Sequence, residues 1–116
     1  MAIQRFEKNT RRSRVSVHGD TVYLAGQVAD DVSLDIVGQT KQALANVDKM
    51  LALAGTDKSQ VLSVTIWIQS MADVAKMNEV WDQWIDKDSP PSRACAQVLM
   101  ARPEVKVEFI VIAAKK

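Results

Sequence analysis

Two consecutive prolines, Pro90 and Pro91, set the tightest limit on how this chain can fold. Neither continues a helix, and both bias the residue before them to extended geometry. The segment Ser92-Arg93-Ala94-Cys95-Ala96-Gln97-Val98 is therefore expected to open as a strand, with Arg93 near its start. Fifteen positions on, Glu108 sits in the alternating run Val105-Lys106-Val107-Glu108-Phe109. A planar guanidinium fixed at a strand start suits a bidentate carboxylate clamp. A glutamate beside it can hold a water or move a proton. The plainer reading is a structural Arg93–Glu108 ion pair across a final hairpin, since ion-pair networks often mimic sites. Either reading requires the two side chains on the same side of that hairpin.

The rest of the chain reads as alternating strands and helices. Residues 1–12 are polar and irregular. Arg14 to Leu24 predicts a hairpin: Val15 and Val17 alternate with Ser16 and His18, Gly19-Asp20 turns, and Thr21 to Leu24 returns. Gly26 ends it at a bulge or a tight corner. Asp31 or Ser33 is placed to cap a helix reaching about Ala54, with Gly55 as its C-cap. Ile36, Ala43, Val47, Met50 and Ala54 form its apolar stripe. Val61 to Ile68 alternates as a strand, with Leu62, Val64, Ile66 and Ile68 on the core face and Val61 and Trp67 opposite. After Ser70 a second helix runs to about Ile85, with Val74, Met77, Val80, Trp81 and Trp84 inward. Arg93–Met100 and Val105–Ala114 close the chain as strands. The order ββαβαββ predicts an α+β fold of one mixed sheet with both helices on one face. Ile110 and Ile112, with Val61 and Trp67, then lie on a face that no helix covers. A homo-oligomer formed through that face is expected.

Composition narrows the function. A chain of 116 residues supports a single domain, taken as residues 1–116. Its formal net charge of +1 argues against a general nucleic-acid binder, which needs a basic excess. The local exception is Arg5, Lys8, Arg11, Arg12 and Arg14, read first as a solvated edge and second as an anion contact. No apolar run approaches a membrane span, and no signal-peptide core opens the chain. One cysteine, Cys95, allows no internal disulfide, which fits a reducing, cytoplasmic setting. One histidine, His18, leaves no metal cluster. Cys95 has no evident cation or histidine to lower its pKa, so a packing and backbone role is favoured over a covalent one.

Four stretches carry a resemblance to the RidA family of enamine/imine deaminases, also called YjgF-like proteins. Thr21-Val22-Tyr23-Leu24-Ala25-Gly26-Gln27-Val28 resembles the family's TVYLSGQ segment. Gln39-Thr40 and Leu51-Ala52-Leu53-Ala54-Gly55 resemble the ends of its first helix, and Met77-Asn78-Glu79-Val80-Trp81 its second. Pro91-Ser92-Arg93-Ala94-Cys95 and Val105-Lys106-Val107-Glu108-Phe109 resemble its most specific region. The resemblance spans about Arg14 to Ala113. It implies a chorismate-mutase-like, YjgF-like fold and a barrel-like homotrimer with sites in clefts between subunits. It places a substrate-carboxylate contact on Arg93, a pocket role on Cys95 and a catalytic role on Glu108. Two positions depart from the pattern: Arg12 stands where active members usually carry tyrosine, and Ala25 where they carry serine. Both line the pocket in the family.

The implied reaction is hydrolysis of a 2-imino acid, or its enamine tautomer, to a 2-keto acid and ammonia. It needs no cofactor. The expected partners are a small 2-imino or 2-keto acid and further copies of the chain, with no nucleic acid and no membrane. A non-catalytic trimer that binds small carboxylates and regulates or protects a partner enzyme is the alternative; the changes at Arg12 and Ala25 favour it. An older family label, ribonuclease or translation inhibitor, fits poorly with near-zero charge and a lone histidine.

Overall fold

A computed structural model describes residues 1–116 as a six-stranded sheet backed on one face by two helices. The strands are β1 (Ile3–Lys8), β2 (Ser13–His18), β3 (Thr21–Leu24), β4 (Val61–Ile68), β5 (Ser92–Gln97) and β6 (Val107–Ala114). The helices are α1 (Ile36–Leu53) and α2 (Val74–Trp84). The sheet order is β1-β2-β3-β6-β4-β5. Only β4 and β5 run parallel.

The expected α+β architecture is present, with one strand more than the sequence suggested. The polar segment before residue 12 holds β1, paired antiparallel to β2, with Ile3 opposite His18 and Lys8 opposite Ser13. Five of its six residues are exposed, so it carries no alternating apolar signal. Charged side chains on such an edge discourage pairing with another chain.

α1 begins later than expected. Asp31 and Ser33 do not cap it; they close a turn of their own, in which Ser33 N and Oγ both donate to Asp31 Oδ1, at 3.0 and 2.6 Å. Such local side-chain bonds compete with helix. Asp35 is the N-cap and accepts from Gly38 N at 2.9 Å. At the other end Gly55 adopts φ +75°. Gly55 N donates to Ala52 O and Thr56 N to Leu51 O, the paired closure that a left-handed glycine permits.

β4 carries an irregularity in its pairing with β6 between Val61 and Ser63. It reverses two assignments: Val61 is in the core and Leu62 is exposed. Beyond it the alternation holds, with Val64, Ile66 and Ile68 buried and Trp67 out. The core lies between the sheet and the helices. Trp81 stacks on Phe109 at 6.2 Å, and Trp84 Nε1 bonds Asp48 Oδ2 at 3.0 Å, fastening α2 to α1. On the uncovered face Tyr23 pairs with Ile112, Thr65 with Ile110, and Trp67 with Glu108. No helix is long and apolar enough to cross a membrane.

Candidate functional site

The expected final hairpin is absent. β4 lies between β5 and β6, because β5 follows α2 and joins β4 in the parallel direction. The register settles the faces: Arg93 pairs with core-facing Val64, whereas Glu108 pairs with outward Trp67. Arg93 and Glu108 therefore point to opposite sides of the sheet, two strand spacings or about 10 Å apart in that direction alone. This overturns their juxtaposition within one chain, and with it the structural ion pair. The one salt bridge in the molecule is Lys116–Asp57.

Arg93 is instead aimed by neutral groups on α2. Its guanidinium carbon lies 5.2 Å from the Trp81 ring centroid, and Nη1 donates to Asn78 Oδ1 at 2.8 Å. The cation–π contact and a single amide acceptor hold the fork without neutralising it. Cys95 follows two residues on, on the same strand face. It is a free thiol and exposed in the protomer, not the packed side chain expected.

Glu108 belongs to a separate cavity of about 510 Å³, lined among others by Arg12, Arg14, Ala25, Asp30 and Arg102. Three of the five expected site residues thus meet here: Glu108, Arg12 and Ala25. Burial raises the Glu108 carboxyl above the usual glutamate range, since removal from water disfavours its charged form. Gly26 is what lets it sit there. A Cβ at Gly26 would overlap Glu108 Oε2 and approach its Cγ to 3.1 Å. The corner glycine of the sequence reading is thus the floor under the carboxylate.

Two buried glutamines build the cavity. Gln27 exchanges backbone hydrogen bonds with Phe109 at 2.9 and 3.0 Å, locking the corner to β6. Its side chain donates to Ala25 O and accepts from Arg14 Nη2 at 2.6 Å. Gln39, on the first turn of α1, donates to the carbonyls of Val32, Leu34 and Glu104 and accepts from Lys106 N. It thereby ties the entry to β6, two residues before Glu108. Asn46 Nδ2 holds Val28 O and Asp30 Oδ1. Residue type alone does not reveal these roles. Polar residues interrupting the buried stripe of α1 were the available signal, because a buried amide must find partners.

Residues 2–115 match the family described as Endoribonuclease L-PSP. A RutC family protein of Haemophilus influenzae is 42% identical over 97% of this chain and 98% of its own. The chain belongs to the YjgF/RidA family. A crystal structure from Neisseria meningitidis, NMB1025, described as a member of the YjgF protein family, superposes with a TM-score of 0.97. It is 36% identical and covers 100% of this chain and 97% of its own. TdcF of Escherichia coli, provisionally named a reactive intermediate deaminase, is 29% identical over 84% of this chain and 82% of its own. The RidA-like expectation from Pro91-Ser92-Arg93 and Val107-Glu108-Phe109 agrees with these matches, as does the α+β sheet with its helices on one side.

Proposed function

We propose that this protein hydrolyses small 2-imino acids to 2-keto acids and ammonia, at sites completed between subunits of a homotrimer. The observation that carries the reading is Arg93. Its guanidinium is held by Trp81 and Asn78, forms no ion pair with a carboxylate of its own chain, and sits on an exposed edge strand. A fork so prepared is a receptor for an anion. Family membership and the name of TdcF give the anion its class.

In this reading Arg93 and Cys95 of one protomer face the Glu108 cavity of the next. The apolar residues of the uncovered face, Tyr23, Trp67, Ile110 and Ile112, supply the contact. Arg93 grips the substrate carboxylate and turns its C=N carbon toward a water near Glu108. The water oxygen adds to that carbon, and the C=N π pair moves to nitrogen, which takes a proton. Glu108 accepts the proton leaving the water and returns it to nitrogen. Glu108 next takes the hydroxyl proton of the tetrahedral adduct and passes it to the amino nitrogen; the C–N bond breaks, ammonia leaves and the C=O bond forms. A carboxyl whose pKa is raised by burial suits both directions of that transfer.

A carboxylate-binding role without turnover is favoured by one feature: Arg12 and Ala25 bring no hydroxyl group to the cavity. The family description as an endoribonuclease finds little support here, since the lone histidine, His18, does not line that cavity.

The test couples an amino-acid oxidase to semicarbazide trapping of the imine, with wild-type protein and Arg93→Lys. Lysine keeps the charge and loses the planar fork. The reading expects accelerated imine loss by wild type and at least about a tenfold lower rate in the variant, since charge-assisted hydrogen bonds are worth about 1.5–3 kcal/mol. Unchanged hydrolysis by a folded Arg93→Lys protein would overturn the clamp. No acceleration by wild type would leave the binding role.

A further inference from the structure

The Glu108 cavity carries one positive charge more than its own carboxylates balance, and the assignment of the α-carboxylate to Arg93 leaves that charge unused. Arg12, Arg14 and Arg102 all line it, against the carboxylates of Asp30 and Glu108. None of the three guanidiniums forms an ion pair with either carboxylate, the one salt bridge being Lys116–Asp57. Asp30 spends Oδ1 on Asn46 instead. Glu108 is shifted upward by burial, which is the opposite of what an adjacent guanidinium would do.

Neutral groups hold the Arg14 guanidinium and the backbone that carries Arg12 and Arg102, whose side chains are exposed. Arg14 is held by Gln27, which is 1% exposed and itself anchored on Ala25 O. Arg12 follows a turn closed by Asn9, whose Oδ1 accepts from Arg11 N and Arg12 N at 2.8 Å and whose own N–H donates to Arg12 O. Arg102 sits in a loop held at three points: Arg102 O accepts from Val105 N, Pro103 O from Gln69 Nε2, and Glu104 O from Gln39 Nε2. Three guanidiniums on one cavity, none within ion-pair distance of a carboxylate, can receive an incoming anion without breaking an existing pair. In the proposed assembly the α-carboxylate of the substrate is assigned to Arg93, supplied to the cavity by another protomer.

We infer that the preferred substrates are 2-imino acids whose side chain ends in a second carboxylate, received by Arg12, Arg14 and Arg102. The inference rests on the deaminase reading for the reaction, and on the unpaired arginine cluster alone for the second anion. Substrates with uncharged side chains leave the cluster without a counter-charge and bind more weakly.

The test measures equilibrium binding first, so that it does not depend on turnover. Calorimetry compares 2-oxoglutarate and oxaloacetate with 2-oxobutyrate, stable keto analogues with two carboxylates or one, at low ionic strength. The diacids are expected to bind at least about tenfold more tightly, a gap of about 1.4 kcal/mol. Arg14→Gln and Arg102→Gln, on separate segments, should each narrow the gap. Arg14→Lys serves should the glutamine variant not fold, and should retain part of the preference. Equal affinity for diacids and monoacid overturns the inference, as does inorganic phosphate displacing a diacid as well as it displaces the monoacid. The second arm measures hydrolysis of imines generated from glutamate and from alanine. Slow turnover of both with intact diacid preference sinks the deaminase reading and keeps the second-anion site. Rapid turnover of the alanine imine with no diacid preference does the reverse.

Discussion

Among the four glycines, Gly26 is the one where an added Cβ would come nearest another atom, and that atom belongs to Glu108. The overlap that a Cβ at Gly26 would create falls on the end of the Glu108 side chain, with the carboxyl carbon at 2.8 Å. A flexible side chain can rotate away from a new methyl, so the fold has an inexpensive response, whereas the site does not. Gly26→Ala is therefore expected to lower kcat/KM for imine hydrolysis by about 10- to 100-fold, the scale of loss from misplacing a reacting group by about 1 Å. Its melting temperature should move by less than about 4 °C, the shift that accompanies about 1 kcal/mol at this chain length. A large fall in melting temperature with unchanged rate per folded protein would show that Gly26 serves the fold and not the carboxylate.

Between residue and sheet, the elements show what the sequence made legible. The two helices, the alternation of β6 and the β2–β3 hairpin follow from apolar periodicity and turn residues, and each lies within a few positions of its expected place. β1 was not legible, because an exposed edge strand carries no buried face to alternate. The reversal of Val61 and Leu62 was not legible either, since one irregular pairing step exchanges the two faces of a strand end. Arg93, Cys95, Glu108, Arg12 and Ala25 were identifiable as candidates, but their grouping depended on strand order. Adjacent strands in sequence are usually neighbours in space, and inserting β4 between β5 and β6 broke that assumption. Gln39 is where helix and site connect. It makes four hydrogen bonds at zero exposure, one of them to Lys106 N at the entry to β6. Gln39→Leu keeps the volume and strands these backbone groups. Since a buried unsatisfied group costs about 1–3 kcal/mol, a loss of at least about 2 kcal/mol is expected in urea denaturation, with a lower midpoint and an unchanged slope. A loss below roughly 0.5 kcal/mol, the scale of ordinary surface changes, would mean that water replaces the glutamine.

At the scale of the whole molecule, the opposite facing of Arg93 and Glu108 makes a strong demand. If both act on one substrate, they come from different chains, and the interface that joins them is head-to-tail. Such an interface closes into a ring when its rotation permits, three copies giving three equivalent sites. A mixing experiment follows. Arg93→Ala and Glu108→Gln are each expected to be nearly inactive alone. In trimers reassembled from equal amounts of the two, an interface is intact when the Glu108→Gln chain supplies Arg93 and the Arg93→Ala chain supplies Glu108. Random assortment makes about one site in four intact, so about a quarter of the wild-type rate should return for this ring geometry. Restoration should disappear when the two proteins are mixed without subunit exchange, which shows that it comes from shared sites. A site built within one chain, or a protein that stays monomeric, gives no recovery at any ratio. Recovery of activity from two inactive parents is an outcome that neither a structural arginine nor a single-chain site produces.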